Sequence, residues 1–335
     1  MSVSLAVKYR PTDFKSVCSQ EAIIKILERQ LETGQFVNCY LFSGPSGTGK
    51  TTIARILADK INCGHGSPIE IDAASNNGVD NVRLLIEQAG QRSIDSEYKI
   101  YIIDECHMLT NQSWNALLKL IEEPPKYTIF MFCTTELQKV PETIQNRCQQ
   151  YRLSRVDNKL IESRLKEIAD TEKYTYTVEG LRQISKMALG SMRQAISYLD
   201  KCKDYGDVTP ENICTVLGNF SYDVFFDLTN AIIDKNGEKV IEIIEDLYSK
   251  GDDLKLFTEM FFDFLLDLTK YIIFKSFEII KIPESYLEKI VYTINVENPE
   301  KYYNHLIDKV LELKQLIKGD SMIKNTIEVF LLSKI

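Results

Sequence analysis

Leu41-Phe42-Ser43-Gly44-Pro45-Ser46-Gly47-Thr48-Gly49-Lys50-Thr51-Thr52 is the stretch from which the rest of this chain is read. A glycine, four residues and then Gly-Lys-Thr follow a short apolar strand at 38–42 and lead into a helix at 52–58. A phosphate-binding loop requires that context. Glycines let the backbone wrap a phosphate chain with its amides turned inward, and the helix N-terminus adds a favourable field. Lys50 reaches the terminal phosphates and the Thr51 hydroxyl is placed to ligate magnesium.

About fifty residues on, Tyr101-Ile102-Ile103-Asp104-Glu105 ends an apolar run that suits a strand buried on both faces. Its carboxylates fall at the strand's C-terminal end, where doubly wound sheets hold their ligands. Asp104 is suited to hold magnesium through a water, and Glu105 to orient or deprotonate an attacking water. Two acidic residues at a strand end are ordinarily a turn; the phosphate-binding loop upstream reverses that reading.

Further strands are expected at 69–74, 128–135 and 149–153, alternating with helices at 21–32, through Val82, Leu84, Leu85 and Ile86, and at 114–122, the last stopped by Pro124-Pro125. A short helix at 141–148 carries Arg147. This alternation over 150 residues predicts an α/β domain with a parallel sheet. Beyond Val156 the strand pattern stops. Helices are expected at 157–169, 177–188 and 191–203, then a short one between Val208 and Gly218, then four or five apolar-faced helices over 219–335. Three domains follow: 1–155, 156–218 and 219–335. The segment Tyr9-Arg10-Pro11, with Phe14 and Val17, reads either as a docking arm for the first helix or as an apolar wall for adenine.

The totals fit a soluble globular protein. The chain has 335 residues, 44% hydrophobic and 26% charged, with a formal net charge of -8. That charge excludes a general basic coat for nucleic acid but leaves room for a local track of phosphate contacts. Eight scattered cysteines without a Cys-x-x-Cys, and three histidines, argue against zinc and for free thiols in a reducing interior. No signal core or membrane anchor is read, so a cytoplasmic location is expected.

Taken together, Tyr9-Arg10-Pro11, Gly44 to Thr52, Asp72-Ala73-Ala74-Ser75-Asn76-Asn77-Gly78-Val79-Asp80, Ile103-Asp104-Glu105-Cys106-His107-Met108-Leu109, Asn115-Ala116-Leu117-Leu118-Lys119, Glu122-Glu123-Pro124-Pro125, Thr134-Thr135 and Gly190-Ser191-Met192-Arg193 resemble the clamp-loader ATPases of the AAA+ class. The likeness is to bacterial DNA polymerase III gamma/tau subunits, with replication factor C more distant. It is specific over about 8–218 and rests on helical character alone thereafter.

The resemblance implies a P-loop core, a helical lid and a helical collar that holds an oligomer together. It implies an ATPase, with ATP and magnesium, that opens a sliding clamp and sets it on primer-template DNA, and that has no polymerase activity of its own. The implied partners are further copies of the chain and a distinct loader subunit, in a pentamer, without a membrane. Thr135 falls at the sensor-1 position and Arg193 at sensor 2 on the lid. Arg147, in Asn146-Arg147-Cys148, falls at the arginine finger that serves a neighbouring subunit's ATP; the plain reading of the same residue is a surface ion pair.

Asn76, Gly78, Arg83 and Lys119 fall at DNA-facing positions, with a solvated helix face as the plain reading of Arg83 and Lys119. Asn76 and Gly78 are neutral where the family is basic. The family's four zinc cysteines after the P-loop helix are missing, Ile61 to Pro68 running straight into the next strand, and no polymerase-binding extension is read. A compact, zinc-free subunit of this kind suits a bacteriophage replisome as well as a bacterial one. The competing expectations are a branch-migration helicase or helicase loader of the same class, and a replisome scaffold that binds nucleotide without hydrolysis.

Overall fold

A computed structural model describes residues 3–218, 220–320 and 322–334. Their contacts divide into two compact units. The first comprises the residues up to Lys173 with Ile184–Asp200; the second comprises Tyr174–Gln183 with the residues from Lys201 on.

The first unit is built on five parallel strands, β1 (Cys39–Ser43), β2 (Ile69–Asp72), β3 (Lys99–Asp104), β4 (Thr128–Thr134) and β5 (Gln149–Arg152), in the order β2-β3-β4-β1-β5. Helices α1 (Leu5–Lys8), α2 (Glu21–Thr33), α3 (Lys50–Ile61), α4 (Val79–Ala89), α5 (Asn111–Glu122), α6 (Glu142–Gln145) and α7 (Asn158–Glu172) complete it, while α8 (Val178–Met187) and α9 (Met192–Tyr205) contribute residues to both units.

Side chains alternate across each strand, so the unbroken apolar runs feed two cores. Tyr40, Phe42, Ile100, Ile102, Ile129, Met131 and Cys133 enter one, against Leu27 of α2 and Ile53 and Leu57 of α3. Leu41, Tyr101, Ile103, Phe130 and Phe132 enter the other, against Val82 and Leu85 of α4 and Trp114 and Leu117 of α5. A one-residue slip would exchange the two sets, so the register is strongly specified. Because Thr110 accepts from Ser113 N, α5 begins at Asn111, three residues before the expected Trp114.

The second unit holds α10 (Pro210–Val216), α11 (Tyr222–Ile233), α12 (Gly237–Ser249), α13 (Leu254–Phe274), α14 (Leu287–Thr293), α15 (Pro299–Leu316) and α16 (Ile323–Lys334). Six α-helices thus lie after residue 218 among the described residues, against four or five expected; α14 spans seven residues, too few to show helical periodicity. Asp253 caps α13 by accepting from Lys255 N and Leu256 N at 2.9 and 3.2 Å. Phe225 stacks with Phe257 and Phe264 at ring separations of 5.3 and 5.5 Å in the centre of the unit. Asp267 is buried there and is satisfied by Lys281 N at 2.7 Å and Lys270 at 2.9 Å, as a buried carboxylate must be. No helix among the described residues is long and apolar enough to cross a membrane.

Candidate functional site

Three strands meet the site at their C-terminal ends, the edge where an open parallel sheet holds ligands. β1 runs into the loop at Gly44, β3 ends at Asp104, and β4 ends at Thr134 beside Thr135. Gly44, Gly47 and Gly49 take φ of 147°, 71° and 105°, a region that favours glycine. Two of them are also held by space. A Cβ on Gly44 would stand 2.4 Å from Leu153 O, and one on Gly47 would stand 2.0 Å from Ser191 Oγ. Met192 N donates to Gly47 O at 3.1 Å, so the Gly190-Ser191-Met192-Arg193 turn is fastened directly to the loop.

Lys50, buried at 5% exposure, donates from Nζ to Gly44 O and Pro45 O at 2.9 Å each. Burial lowers its pKa below the ordinary lysine value, and the nearby Glu105 and Asp104 carboxylates oppose that shift. Thr48 Oγ1 donates to Pro45 O at 2.9 Å and braces the turn. Thr51 Oγ1 donates to Asp104 Oδ2 at 2.8 Å. The hydroxyl and carboxylate expected to share a magnesium ion therefore already stand together, and two hard oxygen donors beside a phosphate-binding loop suit that ion.

Glu105 leaves β3 in the left-handed region, at φ 45° and ψ 43°, which costs an acidic residue on the order of 1 kcal/mol. The turn carries its carboxylate across to β4. There Oε2 accepts from Thr135 Oγ1 at 2.9 Å and faces His107 Nδ1 at 3.3 Å. His107 also meets Thr134 Oγ1 at 3.1 Å and, through Nε2, Glu136 Oε1 at 3.3 Å. A nearly buried imidazole thus links Glu105 to the turn that carries Thr135.

One cavity gathers most of the expected residues. It is lined by Tyr9, Arg10 and Pro11, by Ser46 to Thr52, by Asp104 and Glu105, and by Arg193. Gly44 and Pro45 reach it through the carbonyls that hold Lys50, and Thr135 through its bond to Glu105. The Tyr9-Arg10-Pro11 segment stands beside the loop with Ala6 and Val17, as an adenine wall would require. It is also moored: Leu5 N donates to Asp200 Oδ2 at 3.0 Å, and Tyr9 Oη donates to Glu172 Oε1.

Other expected residues are not brought to this cavity. Arg147 lies elsewhere on the first unit, with Nη2 on Glu122 Oε1 at 2.5 Å and Nη1 on Thr143 O at 2.6 Å. Asn76, Arg83 and Lys119 are exposed on the turn before α4, on α4 and on α5. The turn and α5 are joined through Asn77 O, which accepts from Ser113 Oγ at 2.7 Å. Arg83 pairs with Asp80 at 3.2 Å in solvent.

Sequence reasoning passed over His107, Arg164, Met192 and Ile196, the last three of which line the cavity. Arg164 sits on α7, where its spacing reads as an ordinary surface position, and its guanidinium lies over the Tyr9 ring at 5.9 Å. His107 stands within the quoted Ile103 to Leu109 motif, but nothing local reveals that its ring turns back toward Glu105.

Family models and curated relatives both point to DNA polymerase III subunits. A model described as DNA polymerase III, delta subunit, matches residues 19–78 and 69–157, and one described as DNA polymerase III subunits gamma and tau domain III matches 208–293. The chain is 33% identical to DNA polymerase III subunit gamma/tau of Mycoplasma genitalium, over 91% of this chain and 54% of that protein. It is 37% identical to DNA polymerase III subunit tau of Bacillus subtilis, over 84% of this chain and 54% of that protein. DNA polymerase III subunit gamma of Buchnera aphidicola subsp. Schizaphis graminum is 31% identical over 92% of this chain and 90% of its own length. The chain spans about half the length of the first two relatives. Among solved structures, the Thermotoga maritima RuvB Holliday junction branch migration motor superposes with a TM-score of 0.53 at 17% identity, over 89% of this chain and 98% of that one. That likeness concerns the fold.

Proposed function

The chain belongs to the DNA polymerase III gamma/tau family, and from that premise we propose that it is an ATPase subunit of a sliding-clamp loader acting on primer-template DNA. In this reading 1–155 is the nucleotide-binding core, 156–218 the lid and 219–335 the collar of a hetero-oligomer, a pentamer containing further copies and a distinct subunit. The observation that carries the proposal is the division of the catalytic set. Lys50, Thr51, Asp104 and Glu105 converge on one cavity, while Arg147 is held away from it with its side chain partly exposed.

The loop amides and Lys50 would bind the phosphates, and Arg193 would read the nucleotide from the turn fastened to Gly47. Thr51 and Asp104 would hold magnesium, whose charge would offset that of the phosphates. Glu105 would take the proton of the attacking water, with Thr135 and His107 setting its direction. Arg147 of one protomer would supply positive charge to the phosphoryl group bound by the next, so that hydrolysis requires assembly. Asn76, Arg83 and Lys119 would touch DNA phosphates without reading sequence.

RuvB likeness gives no ground for a branch-migration reading, because at 17% identity it speaks only for the fold. The test measures ATPase of the assembly isolated with its native partner subunits. Stimulation by primed DNA that grows on adding clamp is expected. Clamp-independent stimulation by a four-way junction would contradict the proposal.

A further inference from the structure

The first residue of the Glu122-Glu123-Pro124-Pro125 motif is the partner of Arg147. Glu122 is the last residue of α5, and the prolines that follow prevent the helix from continuing. Its carboxylate therefore projects from a fixed point. Arg147 follows α6, and its two terminal nitrogens are taken at once, Nη2 by Glu122 Oε1 at 2.5 Å and Nη1 by Thr143 O at 2.6 Å. Two acceptors on different nitrogens of a planar group set its plane as well as its position. A guanidinium has five N–H donors, and two bonds leave three for an incoming oxyanion.

We propose that Glu122 is a positioning residue that holds the Arg147 guanidinium in the orientation in which it meets the nucleotide of a neighbouring protomer. The inference rests on the reading of Arg147 as a finger supplied in trans. Both side chains are partly open to solvent, at 37% and 46% exposure, and a pair so exposed adds little to fold stability. Its effect lies in orientation, because a reacting group held about 1 Å from its place costs on the order of a hundredfold in rate. A latch that sequesters Arg147 would act in the opposite direction, since removing the carboxylate would then free the finger.

The experiment compares Arg147→Ala, Glu122→Ala, Glu122→Gln and the Glu122→Ala/Arg147→Ala double variant in the isolated assembly, reading kcat, KM for ATP and thermal unfolding. Glu122→Ala is expected to lower kcat about tenfold to a hundredfold with KM little changed. Glu122→Gln keeps an acceptor oxygen and is expected to restore most of the rate. The double variant is expected to be no slower than Arg147→Ala alone, and the unfolding temperatures to agree. A faster Glu122→Ala enzyme, or one indistinguishable from wild type beside a crippled Arg147→Ala enzyme, overturns the positioning role alone. An Arg147→Ala enzyme of normal speed overturns the finger and this inference together.

Discussion

Arg147→Ala is expected to lower ATP hydrolysis by the assembled protein about a thousandfold or more, the usual worth of an arginine finger. The loss should fall on kcat. Arg147 touches no part of the cavity that holds Lys50, Thr51 and Asp104, so each protomer's own affinity for ATP should stay close to normal. Folding should also be preserved, because the Glu122–Arg147 pair is partly exposed and such pairs contribute about 0–1 kcal/mol. A variant that binds nucleotide, assembles and unfolds normally but does not turn over would isolate the guanidinium's contribution to chemistry. Nucleotide binding measured by fluorescence and hydrolysis by phosphate release separate the two effects.

The second large effect is expected at Glu105. Glu105→Gln keeps the size and an oxygen able to accept from Thr135 Oγ1, which stands at 2.9 Å, but it removes the proton acceptor. Loss of a general base costs about 10²- to 10⁴-fold, so multiple-turnover ATPase should fall by that much while ATP stays bound. If hydrolysis then releases DNA and clamp, the variant should accumulate as a ternary complex that elutes as a single species. An unchanged turnover rate in Glu105→Gln would remove Glu105 from the mechanism.

How much of this was legible in the sequence depended on how local each cause is. The loop was readable because the glycines with positive φ, the lysine and the threonine lie within nine residues, and each conformation is imposed by its neighbours. The parallel core was readable because β3 and β4 are apolar on both faces, which only a covered sheet requires. Strand order was not, since hydrophobicity says nothing about which edge β5 joins; it pairs with β1. The start of α5 is not legible in the sequence because several adjacent polar residues compete to cap it, and tertiary contacts of Thr110 and Ser113 with Asn77 decide the matter. His107 was missed because its partners at 134 and 136 come from another strand end. The tie between Glu122 and Arg147 joins residues 25 apart, beyond any helical or strand period.

Cooperation between protomers is tested most directly by mixing two inactive variants. Lys50→Ala removes the ammonium proposed to bind phosphate but leaves Arg147 in place, and Arg147→Ala does the reverse. In randomly mixed assemblies about a quarter of the junctions should pair an intact cavity with an intact neighbouring arginine, and ATPase should recover in that proportion. A mixture no faster than its two components measured separately, under conditions where labelled subunits are seen to exchange, would contradict the account.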